Sequence, residues 1–256
     1  MLQNAPQFQV SLARTPHEIR AAQRLRYEVF VAELGGDGAG VDHRERLETD
    51  TFDAHADHLI LRDVHRLDSE TDGIVGVYRL MTAQHADAAG GFYSASEFDL
   101  TSLIESGLTL LELGRSCLHP DHRGGAALMA LWQGLADYVR DARIDVLFGT
   151  ASFHGTDGEA LQHPISHLHE TYLAPEHLRP RTIQSNDMTL LPSAQIDRKA
   201  AMRDTPALIK SYLKLGGTIG QGVFVDHAFN TTDVCLILET TNLSASTIGR
   251  PPRRPQ

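Results

Sequence analysis

The sequence predicts an α/β fold in which a mixed, mostly antiparallel sheet with flanking helices is splayed and bulged at its central strand. Four leucines between residues 108 and 113 form an apolar run of buried-strand length, which two charged residues, Glu112 and Arg115, interrupt. The turn HPDHRGG follows, after which residues 126–140 have the apolar spacing of a helix and residues 145–151 that of another strand. The prediction depends on these charges within a strand and on the strand-helix-strand order.

The spacing of the two charges indicates a bulge. Residues three apart point to opposite faces of a regular pleated strand. Gly114 is expected to supply a β-bulge, which brings Glu112 and Arg115 to one side and frees backbone N–H groups there. A strand interrupted in this way indicates an active-site cleft.

The elements before the central strand follow from local patterns. Residues 8–13 are a first strand, and residues 15–18 (TPHE) form a capping box with proline at the first helical position. Apolar residues at three-to-four spacing extend this helix to about Glu33. Residues 58–64 and 73–81 alternate and are predicted to pair as antiparallel strands.

The segment between that helix and the next strand is glycine-rich and then acidic. Residues 35–40 carry glycines at intervals like those of a dinucleotide loop, but they follow a helix instead of a strand. We therefore expect a flexible hinge there, which leads into residues 42–57 as a lid over the cleft.

Fewer elements are predicted in the remaining segments. Residues 83–91 are small and polar and receive no element, whereas residues 101–106 are expected to form a short helix. Thr205-Pro206 begins a helix that Gly216 and Gly217 end. Two strands follow, at residues 223–225 and 234–238.

Length and composition indicate a globular protein of one domain. With 256 residues, 41% of them hydrophobic, we predict one domain over residues 1–245, with about 155–215 as a helical, locally basic extension and 246–256 as a disordered basic tail. No apolar stretch approaches the roughly 18 residues of a membrane span, and the N-terminus lacks the regions of a signal peptide. Cys117 and Cys235 are too few for a disulfide framework, so a cytoplasmic location is expected.

The charge distribution suggests the kind of partner. The net charge of −10 argues against nucleic acid, because phosphate binding needs a basic surface. Residues 176–215 nevertheless hold seven Lys/Arg against four Asp/Glu, including all three lysines of the chain. This patch is suited to acyl carrier protein or to the anionic surface of the inner membrane; the alternative is a solvated helical face.

A metal site is not predicted. His163, His167 and His169 include an i, i+4 pair, but Pro164 disturbs that turn and no carboxylate stands where a zinc-hydrolase helix carries its base.

Several segments, taken together in order, resemble a branch of the GNAT acyltransferase superfamily. This branch holds the acyl-homoserine-lactone synthases and the ornithine-lipid N-acyltransferases. Residues 25–31 (LRYEVFV) resemble its first-helix motif, residues 50–53 (DTFD) its acidic loop and residues 78–80 (YRL) its arginine strand. Three further segments are similar specifically to the ornithine-lipid enzymes: residues 112–120 (ELGRSCLHP), 215–217 (LGG) and 229–233 (FNTTD). The resemblance covers roughly residues 10–240.

The resemblance implies an N-acyltransferase. Its reaction would move a 3-hydroxyacyl chain from the phosphopantetheine of acyl carrier protein to the α-amino group of an amino acid, with ornithine preferred, lyso-ornithine lipid as product and no tightly bound cofactor. Three alternatives remain: another acceptor such as glutamine, a lactone-forming signal synthase, and a non-catalytic protein that binds acyl carrier protein.

Amide formation from a thioester requires a deprotonated amine and a polarised carbonyl. A partly buried carboxylate with a raised pKa can accept the proton, directly or through water, and Glu112 is the candidate. Backbone N–H groups at Gly114 would polarise the carbonyl. Two alternatives stay open: Glu112 only neutralises Arg115 as a buried ion pair, or the base is Asp53 or a water held by the acidic loop.

The remaining assignments follow the family pattern. Gly114 and Arg115 join Glu112 as catalytic residues, and substrate binding is assigned to Arg26, Phe30, Asp50, Asp53, Arg79 and Ser152. Donor binding is assigned to Cys117, Leu118, Arg123, Gly124 and Gly125.

The donor loop departs from that of coenzyme-A-dependent relatives. Ala126 and Ala127 stand where further glycines would let N–H groups close on a pyrophosphate, which favours a carrier-protein donor. An acyl-Cys117 intermediate is disfavoured, because a cysteine within a strand is usually a small core residue.

Overall fold

The computed structural model describes residues 6–66, 70–123, 125–184 and 188–242. Its strands are β1 (Phe8–Leu12), β2 (Val41–Asp42), β3 (Leu47–Glu48), β4 (Asp57–Asp63), β5 (Ile74–Thr82), β6 (Phe98–Asp99), β7 (Leu110–Leu118), β8 (Val146–His154), β9 (Arg181–Thr182), β10 (Thr218–Ile219), β11 (Phe224–Asp226) and β12 (Thr231–Glu239). Its α-helices are α1 (Pro16–Arg26), α2 (Ala83–Ala89), α3 (Thr101–Ile104), α4 (Gly125–Asp141), α5 (Gln162–Tyr172), α6 (Arg198–Asp204) and α7 (Ala207–Lys214).

One large sheet organises these elements. Its order is β1-β4-β5-β7-β8-β12-β10, with β11 paired to β12. β7 and β8 are parallel, and the other neighbours are antiparallel. The predicted mixed, mostly antiparallel sheet with flanking helices is confirmed.

Alternation along the strands gives the sheet two apolar faces. On β4, Leu59 and Leu61 pack into one core, which also holds Leu131 and Leu135 of α4. The intervening Ile60 packs with residues of α1 on the other face. Each such side chain stabilises the fold by roughly 1.5–3 kcal/mol when fully buried, so the two helices are held to opposite faces.

The sheet opens between its two parallel strands. The ladder of β7 and β8 ends at Glu112 and Phe148. Just beyond, a Cβ on Gly149 would overlap the carbonyl oxygen of Leu113, so the absence of a side chain lets the strands touch there before they separate. The splay at the central strand is therefore confirmed.

The bulge in β7 lies one residue later than predicted. Arg79 pairs with Gly114 and Val77 with Cys117, so Arg115 and Ser116 together face the single residue Tyr78. Arg115, not Gly114, has the positive φ, at 49°. A Cβ on Gly114 would make only ordinary contacts with the Arg79 side chain, so the predicted need for glycine at this position was wrong.

Three local predictions need correction. The first helix turns into a π-helix over Tyr27–Glu33, and α2 forms in a stretch that received no element. The glycine-rich stretch is docked instead of serving as a free hinge, because the Asp37 N–H donates to the Ala228 carbonyl at 2.9 Å and Gly36 lies against Phe229.

Some predictions lie outside the described residues. These are the proposed tail, residues 246–256, and the donor residue Gly124. Within the described part of residues 155–215 there are three α-helices, α5, α6 and α7.

Candidate active site

Three arginines and three carboxylates form a closed ring of ion pairs beside the bulge. Arg26 binds Glu48 and, at 2.7 Å, Asp53. Arg79 binds Asp53 at 3.0 Å and also Asp50. Arg115 completes the ring through Asp50 at 2.9 Å and Glu48 at 3.1 Å.

The ring fixes the acidic segment to the sheet. Arg26 and Arg79 are essentially fully buried, and removing one partner of such a pair typically costs about 3–5 kcal/mol. Burial alone raises the pKa of Asp53, but Arg26 and Arg79 outweigh it and hold that pKa below its usual range. The segment predicted as a lid is thus anchored by Glu48, Asp50 and Asp53.

Glu112 does not belong to the ring. Its carboxylate accepts hydrogen bonds from the backbone N–H groups of Tyr93, at 2.9 Å, and Ser94, at 2.6 Å. Burial raises its pKa, although these N–H groups oppose the rise. Arg115 is paired elsewhere, so the alternative of a Glu112–Arg115 ion pair was wrong.

Tyr93 connects Glu112 to the ring. The guanidinium carbon of Arg115 lies 4.6 Å from the centre of the Tyr93 ring, and that of Arg79 lies 5.4 Å away. Glu112 binds the backbone of the same tyrosine. Glu112 and Arg115 therefore lie on the same face of the sheet, as expected for a bulge between them.

Two cavities meet where the strands separate. An apolar pocket of about 410 Å³, a volume that includes space open to solvent, is lined by Tyr78, Leu113, Leu147, Leu208, Tyr212, Leu236 and Leu238. A polar cleft of about 1000 Å³, open to solvent, is lined by Phe30, Tyr93, Ser152, Asp226, Phe229, Thr231 and Asp233. The two share the wall formed by Arg115, Ser116, Thr150, Ala151 and Leu208. An apolar chain and a polar group can therefore be held side by side at the bulge.

The polar cleft has an acidic side. Burial and the nearby Asp226 raise the pKa of Asp233 to about 6. Behind it, burial and Asp233 raise the pKa of Glu97 to about 8. The excess of carboxyl groups makes this side suited to a cation.

Comparison with known proteins agrees with this geometry. A family model described as "Acetyltransferase (GNAT) domain" matches residues 25–133. A protein of Rhodobacter capsulatus named L-ornithine N(alpha)-acyltransferase is 54% identical over 237 residues, which are 93% of this chain and 92% of that protein. One of the same name from Brucella abortus is 41% identical over 94% of this chain and 88% of its own length.

The chain belongs to the L-ornithine N(alpha)-acyltransferase family. It is an acyltransferase with a GNAT domain. Solved structures share its fold at low identity: FeeM, an N-acyl amino acid synthase from uncultured soil microbes, covers 95% of this chain and 97% of its own with a TM-score of 0.56 at 14% identity. LasI, an acyl-homoserine-lactone synthase, covers 94% and 96% with a TM-score of 0.52 at 13% identity.

Of the residues assigned to donor binding from the sequence, Cys117 and Leu118 end β7, Arg123 follows them and Gly125 begins α4. Arg123 donates one hydrogen bond to each carboxylate oxygen of Glu33, at 2.6 and 2.5 Å, and its Nε donates to the Leu118 carbonyl at 3.3 Å. Cys117 is buried, and burial raises the pKa of its thiol to about 12. A protonated, enclosed thiol is a poor nucleophile, which argues against the acyl-cysteine alternative.

The histidines of α5 do not converge. His169 contacts the Ile165 carbonyl and accepts from the Gly222 N–H, whereas His167 contacts Thr171 and His163 accepts from the Asp197 N–H. Among the described residues, no cluster of His, Cys, Asp and Glu is arranged to hold a metal ion. No described helix of the acyltransferase is long and apolar enough to cross a membrane.

Several residues of the site were not predicted from the sequence. Glu48 was not singled out because it lies on a two-residue strand with no repeating pattern. Tyr93 follows a stretch that received no element. Asp233 was noted only as part of FNTTD, although the alternation of Phe229, Thr231 and Asp233, all of which line the cleft, was a usable signal.

Proposed function

We propose that this acyltransferase moves a 3-hydroxyacyl chain from acyl carrier protein to the α-amino group of ornithine and so forms lyso-ornithine lipid. The observation that carries the proposal is the meeting of an apolar cavity and a polar, acidic cleft at the bulge of β7. The names of the two relatives support ornithine as the acceptor.

The reaction forms a C–N bond and breaks a C–S bond. The α-amine nitrogen attacks the thioester carbonyl, the amine proton leaves to a base, and the pantetheine sulfur departs as thiolate and is then protonated. Glu112 is the proposed base. Its carboxylate lies behind Tyr93 and is not part of the cleft wall, so we propose that a water molecule relays the proton.

The proposed roles of the other catalytic residues follow from the bulge. Backbone N–H groups at Gly114 and Arg115 stabilise the negative charge that develops on the carbonyl oxygen. The Arg115 side chain forms part of both cavity walls and is held there by the ring.

The proposed acceptor residues contribute in two ways. Phe30 and Ser152 line the cleft and can touch the acceptor directly. Arg26, Asp53 and Arg79 are almost completely buried, so we propose that they act by shaping the site, and that Asp50 acts by holding Arg115.

The proposed donor is a phosphopantetheine thioester on acyl carrier protein. Its single phosphate needs fewer N–H groups than the pyrophosphate of coenzyme A, which fits a loop that ends at Gly125, with Ala126 and Ala127 already in the first turn of α4. We propose that the phosphopantetheine chain binds along Arg123, Gly124 and Gly125, with Cys117 and Leu118 beside it. We propose that the reaction takes place in the cytoplasm at the inner-membrane surface, because the product is an amphiphile.

Expression of the chain in a host that lacks ornithine lipids tests the proposal. We expect mass spectrometry to reveal a 3-hydroxyacyl-ornithine that is absent from cells with the empty vector. The purified protein should use acyl carrier protein thioesters better than coenzyme A thioesters. A lactone formed from S-adenosylmethionine, acylation of glutamine in place of ornithine, or carrier-protein binding without turnover would each contradict the proposal and identify the corresponding alternative.

A further inference from the structure

We infer that Asp226 and Asp233 bind the side-chain ammonium of a diamino-acid acceptor and thereby exclude that amine from acylation. This inference rests on the proposed function and deepens it, since it names the residues that select a basic acceptor and the amine that reacts. Here the term ammonium pocket means Asp226, Asp233 and the hydroxyl groups of Ser152 and Thr231.

Asp233 is a buried carboxylate with an open hydrogen-bonding position. Its side chain lines the cleft, and the residue is only 4% exposed. Oδ2 accepts from the Thr231 hydroxyl at 3.3 Å, whereas Oδ1 has no hydrogen-bond partner among the described residues. Buried polar atoms are nearly always paired, so an unpaired Oδ1 on a residue that lines the cleft indicates a position for a donor from the substrate.

The register of the sheet brings the rest of the pocket together. Thr231 is opposite Asp226 on β11, and Asp233 is opposite Ser152 on β8. One oxygen of Asp226 already accepts from the N–H groups of Ala228 and Phe229, which fixes that carboxylate at the edge of the cleft. Two carboxylates and two hydroxyls match the three donors of an ammonium group.

Of the described residues that line the cleft, only Arg115 and His154 can carry a positive charge, and His154 is exposed to solvent. Arg115 is the arginine on the cleft wall, and it is already engaged by Glu48 and Asp50. Burial is the main cause of the raised pKa of Asp233, and repulsion from Asp226 adds to it, so a bound cation would stabilise the ionised carboxylate.

The chemistry identifies which amine enters this pocket. Carboxylates stabilise the protonated form of an amine, and a protonated amine has no lone pair with which to attack a thioester. The reacting α-amine must lose its proton, so a pocket with two carboxylates is suited to the amine that does not react. Holding the side-chain ammonium there also leaves the α-amine free to approach the bulge.

Equilibrium binding tests the inference without turnover. Calorimetry would compare ornithine with norvaline, which has the same carbon skeleton but no side-chain amine, on wild-type protein, Asp233→Asn and Asp226→Asn. The control is Asp87→Asn, which removes an equal charge from an exposed position on α2. We expect wild type and the control to bind ornithine at least about tenfold more tightly than norvaline, and Asp233→Asn to lose this preference.

A second measurement separates the roles of Asp233. In turnover assays, Asp233→Asn should raise KM for ornithine by about tenfold or more relative to KM for norvaline, and fragmentation spectra should show some side-chain acylation. An equal fall in kcat for both acceptors would overturn the inference and make Asp233 the base. Equal binding of ornithine and norvaline to wild type would also overturn it. Selective binding with no turnover would instead refute only the proposed function.

Discussion

Glu112 has two features that together make its substitution informative. It is buried with a raised pKa, as a base requires, and both of its hydrogen bonds go to the backbone of one loop. Gln at this position keeps one acceptor oxygen but turns an NH₂ group toward a backbone N–H. We expect Glu112→Gln to lower stability by about 1–3 kcal/mol because one N–H loses its acceptor. We expect turnover to fall by roughly two to four orders of magnitude because the amide cannot accept the proton.

A melting curve combined with single-turnover acyl transfer checks this prediction, with the exposed Glu105→Gln as control. If the folded fraction of Glu112→Gln retained full activity, the carboxylate would serve only to anchor the loop of Tyr93. Asp53 would then be a poor substitute as base, because Arg26 and Arg79 hold its pKa below its usual range.

Glu97 predicts a pH-dependent stability. Burial raises its pKa from 4.5 to about 8, and its Oε2 has no hydrogen-bond partner among the described residues. Because the folded state binds this proton more tightly than the unfolded state, the stabilisation is complete below about pH 4.5 and is lost as the pH rises through 8. The loss is at most about 5 kcal/mol, at 1.36 kcal/mol per pKa unit. Gln cannot ionise, so the Glu97→Gln variant does not lose this stability at high pH.

We therefore expect Tm of Glu97→Gln to equal that of wild type near pH 4.5 and to exceed it by several degrees at pH 9. Thermal melts across this range measure the difference, and Glu105→Gln again serves as the control. A variant that is equally destabilised at both pH values would show that the carboxyl is held by a hydrogen bond instead of being protonated by burial.

At the scale of elements, the sequence predicted the splay because one spacing conflicts with strand alternation. Glu112 and Arg115 cannot share a face without an extra residue in β7. The position of that residue was not predictable from glycine preference, since the positive φ is at Arg115, where the ring of ion pairs holds the side chain. Contacts distant in sequence decided this backbone conformation.

The other elements also differ in whether a local sequence signal predicts them. α1 begins at the capping box of Thr15 and Glu18, a signal contained in four residues. Its change to a π-helix at Tyr27 has no such local signal. α2 was missed because its capping box has His85 where Glu is usual, and its small residues show no apolar stripe.

The site likewise contains residues that the sequence singled out and residues that only tertiary contacts identify. Arg26, Asp50, Asp53, Arg79 and Arg115 were singled out from the sequence, and the structure places them in one ring. The ring needs Glu48, which only tertiary contact identifies. The ammonium pocket likewise requires β11, β12 and β8 to be in register, a pairing that strand patterns alone do not specify.

At the scale of the whole molecule, the basic segment, residues 176–215, has fewer unpaired positive charges than its composition suggests. Arg179 and Arg181 pair with Glu176, and Arg203 pairs with Asp204. Arg198 pairs with Glu170. Lys199 and Lys214 are exposed and are the residues most available to an acidic carrier protein.

The position of α7 relates these lysines to the chemistry. Leu208 of this helix lines both cavities and Tyr212 lines the apolar one, while Lys214 ends the same helix at the surface. A carrier protein docked on α6 and α7 would therefore lie beside the cavity proposed to receive its acyl chain. We expect the double variant Lys199→Glu and Lys214→Glu to raise KM for the acyl carrier protein thioester by about tenfold at low salt.

The effect should shrink at high ionic strength, where the Debye length falls to about 3 Å at 1 M, and ornithine binding should be unchanged. Steady-state kinetics at two salt concentrations measures both quantities. Arg14→Glu is the control for a reversed charge outside residues 176–215, and it is matched in charge to each of the single variants Lys199→Glu and Lys214→Glu. If the double variant kept the wild-type KM at low salt, the carrier protein would not dock through these lysines, and the loop of Arg123 would become the surface to test.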